Sequence, residues 1–190
     1  MEATCSIAFK EWAVICEALA SGAQTLILRK GGIHEGRDGF RVARNEFWLF
    51  PTYLHQEEQW KLAEAAWPSL EKTIRDRPES EIVPIQYLIE VTDVIEITDE
   101  NRLPRLAEIH WWSEQTLTDR FHYRNPGLFL LIVRMFKLPS ARLLENTPHF
   151  AGCRSWVDFP QPIATTGVQP VLSDAEFETQ RSRIQSSMAQ

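Results

Sequence analysis

GLFLLIVRMFKL, Gly127–Leu138, is the most strand-like run in the chain. It is rich in branched and aromatic side chains and almost unbroken in hydrophobicity, as a strand covered on both faces requires. It predicts a central strand, stopped by Pro139. A second run, IQYLIEVTDVIEI (Ile85–Ile97), alternates at its C-terminal end. That pattern predicts a half-buried strand, with a bulge or bend at Thr92-Asp93 where the alternation breaks. Two such strands demand a sheet, and the rest of the chain must supply its edges and its cover.

Working outward, TLILR (Thr25–Arg29) and EFWLF (Glu46–Phe50, ended by Pro51) are shorter strand candidates. A long basic loop punctuated by Gly31, Gly32, Gly36 and Gly39 joins them in a hairpin-like arrangement. CRSWVDF (Cys153–Phe159) is a final strand. Phe9, Trp12, Cys16 and Leu19 recur at helical spacing and predict a helix closed by Ser21-Gly22. Glu57–Trp67 is a helix by composition, kinked or ended by Pro68, and Ser113–Tyr123 is another with Ser113 as its N-cap. Arg75–Glu81 reads as a linker. Beyond Pro160, prolines and polar residues make a tether. Ser173 and Glu176 then form a capping box ahead of a polar helix containing Phe177 and Ile184.

The fold class is therefore α+β: a mixed or mainly antiparallel sheet with packed helices, a barrel-like sheet being the alternative form. Residues 1–159 form a single domain. Residues 160–190 form a flexible tether and a loosely attached C-terminal helix, because so few apolar residues offer little to hold it.

Composition bounds the function. The chain has 190 residues, 44% of them hydrophobic and 24% charged, a globular balance that excludes wholesale disorder. Its net charge of −6 argues against coating an anionic polymer or membrane with the whole surface. The charge is uneven, however. Arg29, Lys30, Arg37, Arg41 and Arg44 cluster against only Glu35 and Asp38, so an acidic protein still owns a basic loop. Three cysteines without a Cys-x-x-Cys pair exclude a zinc ribbon and make a disulfide framework unexpected. The N-terminus lacks the pattern of a signal peptide, and the longest apolar stretch, Leu128–Val133, is far short of a membrane span. Together these features predict a cytoplasmic protein. Seven tryptophans imply a large aromatic core or an aromatic surface. Trp12, Trp60, Trp67 and Trp156 fit the core, while Trp48, Trp111 and Trp112 are candidates to face a ligand.

The densest polar constellation runs from Arg29 to His55. Arg29 and Lys30 stand at a strand end beside Gly31 and Gly32, where backbone N–H groups can approach an anion. Thr52, Tyr53 and His55 follow the second strand and add a hydroxyl, a phenol and an imidazole. With Arg44 and Trp48 they form a candidate ligand site for a phosphate, a carboxylate or a nucleotide. Trp48, Phe50 and Tyr53 beside Arg41 and Arg44 also suit base stacking, although both faces of the Glu46–Phe50 strand are apolar and burial explains them equally. His34 and His55, with Glu46 as carboxylate, are the candidates for catalysis, and a divalent metal belongs only to that reading. No P-loop, dinucleotide glycine pattern or nucleophile elbow occurs.

AFKEWAVICEAL (Ala8–Leu19), LILRKGGI (Leu26–Ile33), EFWLFPTYLHQ (Glu46–Gln56) and the Arg134–Phe159 segment together resemble the prokaryotic domain-of-unknown-function 1802 family. The resemblance runs from about Ile7 to Phe159 and leaves out the tail. It implies no particular reaction. Some members are joined to restriction-endonuclease-like domains, which implies a place near restriction or defence systems, with this chain as a stand-alone form that recognises rather than cleaves. Three readings follow. One is a binding module for DNA, RNA or a nucleotide-like anion. Another is a hydrolase or nuclease using His34 and His55 with a carboxylate. The third is an adaptor that docks a protein partner through residues 173–188.

Overall fold

The computed structural model describes residues 2–30, 35–36, 39–40, 45–53, 58–152 and 154–189, with the backbone alone described at 35–36 and 39–40. In chain order the elements are β1 (Thr4–Trp12), α1 (Ala13–Ala20), β2 (Leu26–Arg29), β3 (Glu35–Gly36), β4 (Gly39–Phe40) and β5 (Glu46–Thr52). After them come α2 (Trp67–Arg75), β6 (Ile82–Ile97), α3 (Glu114–His122), β7 (Leu128–Glu145), β8 (Trp156–Ala164), β9 (Gln169–Pro170) and α4 (Asp174–Ala189). Short 3-10 turns fill several connections.

The fold is α+β. One seven-stranded sheet has the order β2-β7-β6-β5-β1-β8, with β9 also paired to β7. It is mixed: β1 and β5 run parallel and the other pairs antiparallel. The edge strands β2 and β8 do not pair with each other, so the sheet stays open and the barrel-like alternative is not realised. β7 is an inner strand, paired with β6 on one side and with β2 and β9 on the other, as its apolar run requires. It lies next to the edge rather than at the centre of the sheet. It continues through Pro139 because the β6–β7 register shifts between Ile85 and Tyr87, a bulge where a missing N–H breaks no ladder bond. A second register shift falls between Val91 and Asp93, at the place where the alternation of Ile85–Ile97 fails.

Several local expectations give way to tertiary pairing. Phe9 and Trp12 lie on β1, and the helix begins only at Ala13. Their spacing is compatible with either structure, and flanking strands β5 and β8 on both sides decide it. Pro51 does not end β5. It pairs opposite Glu11, beyond the last β5–β6 rung, where a single neighbouring strand remains. Pro68 starts α2 rather than ending a helix, since the first turn needs no proline N–H, and residues 59–61 and 64–66 form 3-10 turns instead. β2 and β5 are not a hairpin, because β7 and β6 lie between them.

The sheet has a core on each face. Phe9, Phe47, Leu49 and Ile89 join α1, α3 and the chain's C-terminal helix in the larger one. Ala8, Trp48, Phe50, Leu88 and Phe159 form the smaller one. Trp60 is not core but 57% exposed, and Trp67 is exposed as well. α4 opens with the expected capping box, Ser173 N–H donating to Glu176 and Glu176 N–H to Ser173 Oγ. Its attachment is firmer than its polarity suggests. Phe177, Ile184 and Met188 are buried in the larger core, Arg181 forms a two-pronged ion pair with Asp93, and Arg134 pairs with Asp174. The apolar face through which residues 173–188 would hold a partner is thus occupied by the chain's own core. No helix among the described residues is long and apolar enough to cross a membrane.

Candidate functional site

The C-terminal end of β1 is where the chemistry gathers. Strand alternation puts Phe9 and Glu11 on the larger-core face, so a carboxylate enters an aromatic environment and only 7% of Glu11 remains exposed. Its side chain accepts the N–H of Trp12 at 2.8 Å, and its backbone carbonyl accepts the Thr52 hydroxyl at 3.1 Å. The sheet is coiled strongly enough that Arg29, at the end of edge strand β2, reaches back to β1. Its guanidinium carbon lies 4.4 Å from the Phe9 ring centroid. From α3, Arg120 stacks on Trp112 at 3.7 Å. Trp112 meets Trp12 edge-on at 5.1 Å, and Trp156 packs 5.0 Å from both Phe9 and Phe47.

Two half-buried guanidinium groups therefore lie within electrostatic reach of one carboxylate. Burial pushes the Glu11 carboxyl above its usual range, against the pull of Arg120 and Arg29. Burial likewise lowers Arg29, and lowers Arg120 to about 10, which still leaves it charged at neutral pH. Positive charge is in surplus inside a wall of aromatic rings. Two donors on this wall lack acceptors among the described residues: Arg29 Nε and Trp156 Nε1 are both buried without a hydrogen-bond partner there, and both residues pack against Phe9. Buried donors of this kind are rare, and an incoming oxygen would satisfy them.

The residues singled out by sequence are only partly brought together. Arg29 and Thr52 meet around Glu11, one near its carboxylate and the other on its carbonyl. Lys30 turns away, and its ammonium donates to the carbonyls of Phe121, Asn125 and Gly127 at the end of α3. Trp48 is fully buried in the smaller core with its indole N–H on Cys5 O, so it faces no ligand. Glu46 stands at the opposite end of β5 and accepts the backbone N–H of Glu2. Tyr53 lies under the Arg77 guanidinium at 5.2 Å, lining a separate cavity. Gly31, Gly32, His34, Arg44 and His55 lie outside the described residues. Among the described residues, no three His, Cys, Asp or Glu side chains gather to hold a metal ion.

Sequence reading missed Glu11 and Arg120. A helix from Phe9 assigns Glu11 to a solvent face, whereas a strand places it inward with Phe9. No local signal finds Glu11, because AFKEW reads apolar, apolar, polar, polar, apolar and fits a helical period better than a strand. Arg120 carries no signal either, since nothing local distinguishes it from any charged residue on a helix.

No curated protein sequence matches the chain. Among solved structures, the ASCH protein of Zymomonas mobilis is similar at 13% identity and a TM-score of 0.47, over 95% of this chain and 93% of that one. Two of its point mutants give 14% identity with a TM-score of 0.47, and 12% identity with a TM-score of 0.43. The first covers 93% of this chain and 96% of its own, the second 96% and 98%. The sequence profile described as "Domain of unknown function (DUF1802)" matches residues 8–183, so the likeness reaches past Phe159 into α4. The chain belongs to the DUF1802 family.

Proposed function

We propose that the site formed by Glu11, Arg29 and Arg120 binds an anionic ligand with a planar ring, a nucleotide unit of DNA or RNA. The observation that carries this reading is the pair of unsatisfied donors, Arg29 Nε and Trp156 Nε1, beside surplus guanidinium charge. Phosphate oxygens supply the missing acceptors, and guanidinium groups recognise them through charge-assisted hydrogen bonds. Trp12 and Trp156, both half-buried, offer ring faces or edges for a base, a contact tolerant of sequence, while Trp112 is buried beneath Arg120. A free carboxylate metabolite would use the arginines but not the rings.

The test is fluorescence titration of a single-stranded RNA and its DNA counterpart, using the tryptophans as reporters. The logarithm of the affinity should fall linearly with the logarithm of the salt concentration. Arg29→Gln and Arg120→Gln should each weaken it by about tenfold or more, the worth of a charge-assisted hydrogen bond. Circular dichroism of both variants separates lost binding from lost fold. Equal affinity in folded Arg29→Gln would remove the proposal.

A further inference from the structure

A cavity of about 420 Å3, the size of a small-molecule site, opens between the 3-10 segment Glu100–Leu106 and α3. α3 contributes Glu114, Leu117 and Thr118 to it, the i, i+3, i+4 spacing of one helical face. Leu103, Trp112 and Leu117 supply a buried apolar lining. Glu100, Glu108 and Glu114 are exposed on it, and the described lining holds no lysine or arginine. Glu100 lies 2.9 Å from His122 Nε2, whereas Glu108 and Glu114 make no ion pair among the described residues. Glu108 also has φ 69°, a left-handed backbone that glycine or asparagine adopts more easily.

His110 adds a different kind of group to this lining, and it is 7% exposed. Its Nδ1 accepts the Trp112 N–H, so the ring proton sits on Nε2, and burial keeps the ring neutral. The Nε2–H is buried and has no acceptor among the described residues. Buried donors are seldom left unpaired, and an oxygen entering the cavity would satisfy this one.

We infer that the cavity binds a small organic cation, an ammonium joined by a short carbon chain to a carbonyl or hydroxyl oxygen. The oxygen accepts from His110 Nε2, the chain lies on Leu103, Trp112 and Leu117, and the ammonium stays at the rim with Glu108 and Glu114. That orientation follows from burial, since His110 is buried and both carboxylates are exposed. It excludes a lysine side chain of a protein partner, whose ammonium would have to enter first. A metal ion does not fit, because no three His, Cys, Asp or Glu side chains gather to hold one among the described residues. The ligand is opposite in charge to that of the Arg29 site, and the two readings stand independently.

The experiment is calorimetric titration of the full chain with N-acetylcadaverine, an ammonium and an acetamide joined by a pentamethylene chain. Saturable binding is expected at millimolar concentration. N-pentylacetamide, which lacks the ammonium, should bind about tenfold more weakly, the worth of two exposed ion pairs. Pentylamine, which lacks the acceptor, should bind about fivefold more weakly, the worth of one hydrogen bond. Glu108→Asn suits the left-handed backbone and removes the charge. It should keep the melting temperature, lower N-acetylcadaverine affinity about threefold and leave N-pentylacetamide affinity unchanged. Glu114→Gln should have the same effect on both affinities. His110→Leu should bring N-acetylcadaverine down to the affinity of pentylamine and leave pentylamine itself unchanged. The comparison of the three probes on the wild type decides the point if that variant does not fold. Absence of saturable binding, equal affinity for the three probes, or N-acetylcadaverine binding indifferent to both carboxylate variants would each overturn the inference.

Discussion

The Lys30 ammonium ends on three backbone carbonyls at the C-terminal end of α3, a place where aligned peptide dipoles favour a cation. Its neighbour Arg29 instead carries its charge back to β1. Alternation along a strand separates two adjacent cations into one that closes a helix and one that packs on the Phe9 ring. Lys30→Ala should therefore cost about 1 kcal/mol of stability, read from urea unfolding, and leave ligand affinity alone. His110 makes a different residue-scale prediction. It is 7% exposed, its Nδ1 accepts the Trp112 N–H at 3.1 Å, and burial lowers its pKa from 6.5 to about 4. Between those two values the unfolded chain binds more protons than the native one, so stability rises with pH across that window. Above pH 6.5 the contribution is complete, and it is lost as pH falls toward 4. The span corresponds to roughly 3 kcal/mol at most. Glu11 works with the opposite sign: its raised pKa makes the native state the better proton binder above 4.5. The His110 share is therefore read as the difference in pH dependence between wild type and His110→Leu. Parallel curves for the two proteins would refute it.

At the scale of elements, the errors of sequence reading share one cause. Phe9 and Trp12 satisfy a helical period, and they sit on a strand because β5 and β8 flank it. Pro51, Pro68 and Pro139 all read as stops. None is one, because each falls where its missing N–H has no required partner: beyond a ladder, in a first helical turn and at a bulge. Capping chemistry transferred better, since it is local. Ser113 caps α3 by accepting the Thr116 N–H, and Ser173 with Glu176 opens α4. What α4 does afterwards was invisible locally. Phe177 is 2% exposed within the larger core, so Phe177→Ala should cost about 3–5 kcal/mol and lower the melting temperature accordingly. A change under 1 kcal/mol would mean that the tail contributes little to the fold. Asp93→Asn should remove the Arg181 ion pair and lower the melting temperature by less than Phe177→Ala does, because both groups retain some solvent.

For the molecule as a whole, β8 runs unbroken through residue 160, and α4 shares its core with α1 and the sheet. Scanning calorimetry should therefore show one unfolding transition. Two separated transitions, the earlier abolished by deleting residues after Val171, would show that the tail melts by itself. What the sequence determined alone were properties of single stretches: an inner strand at Leu128–Leu138, the bulge at Thr92-Asp93, the α+β class and two helix caps. Each follows from side-chain period or from hydrogen bonds spanning only a few residues. The tertiary structure alone decided which strands are neighbours, that the sheet stays open, that Trp48 is core, and that Glu11 and Arg120 come within electrostatic reach of Arg29. Arg120 lies 91 positions from Arg29, and Glu11 bridges them electrostatically only because the sheet coils. A period along one strand carries no information about where a distant segment returns, so the partners of a buried charge are set by the packing of the whole chain.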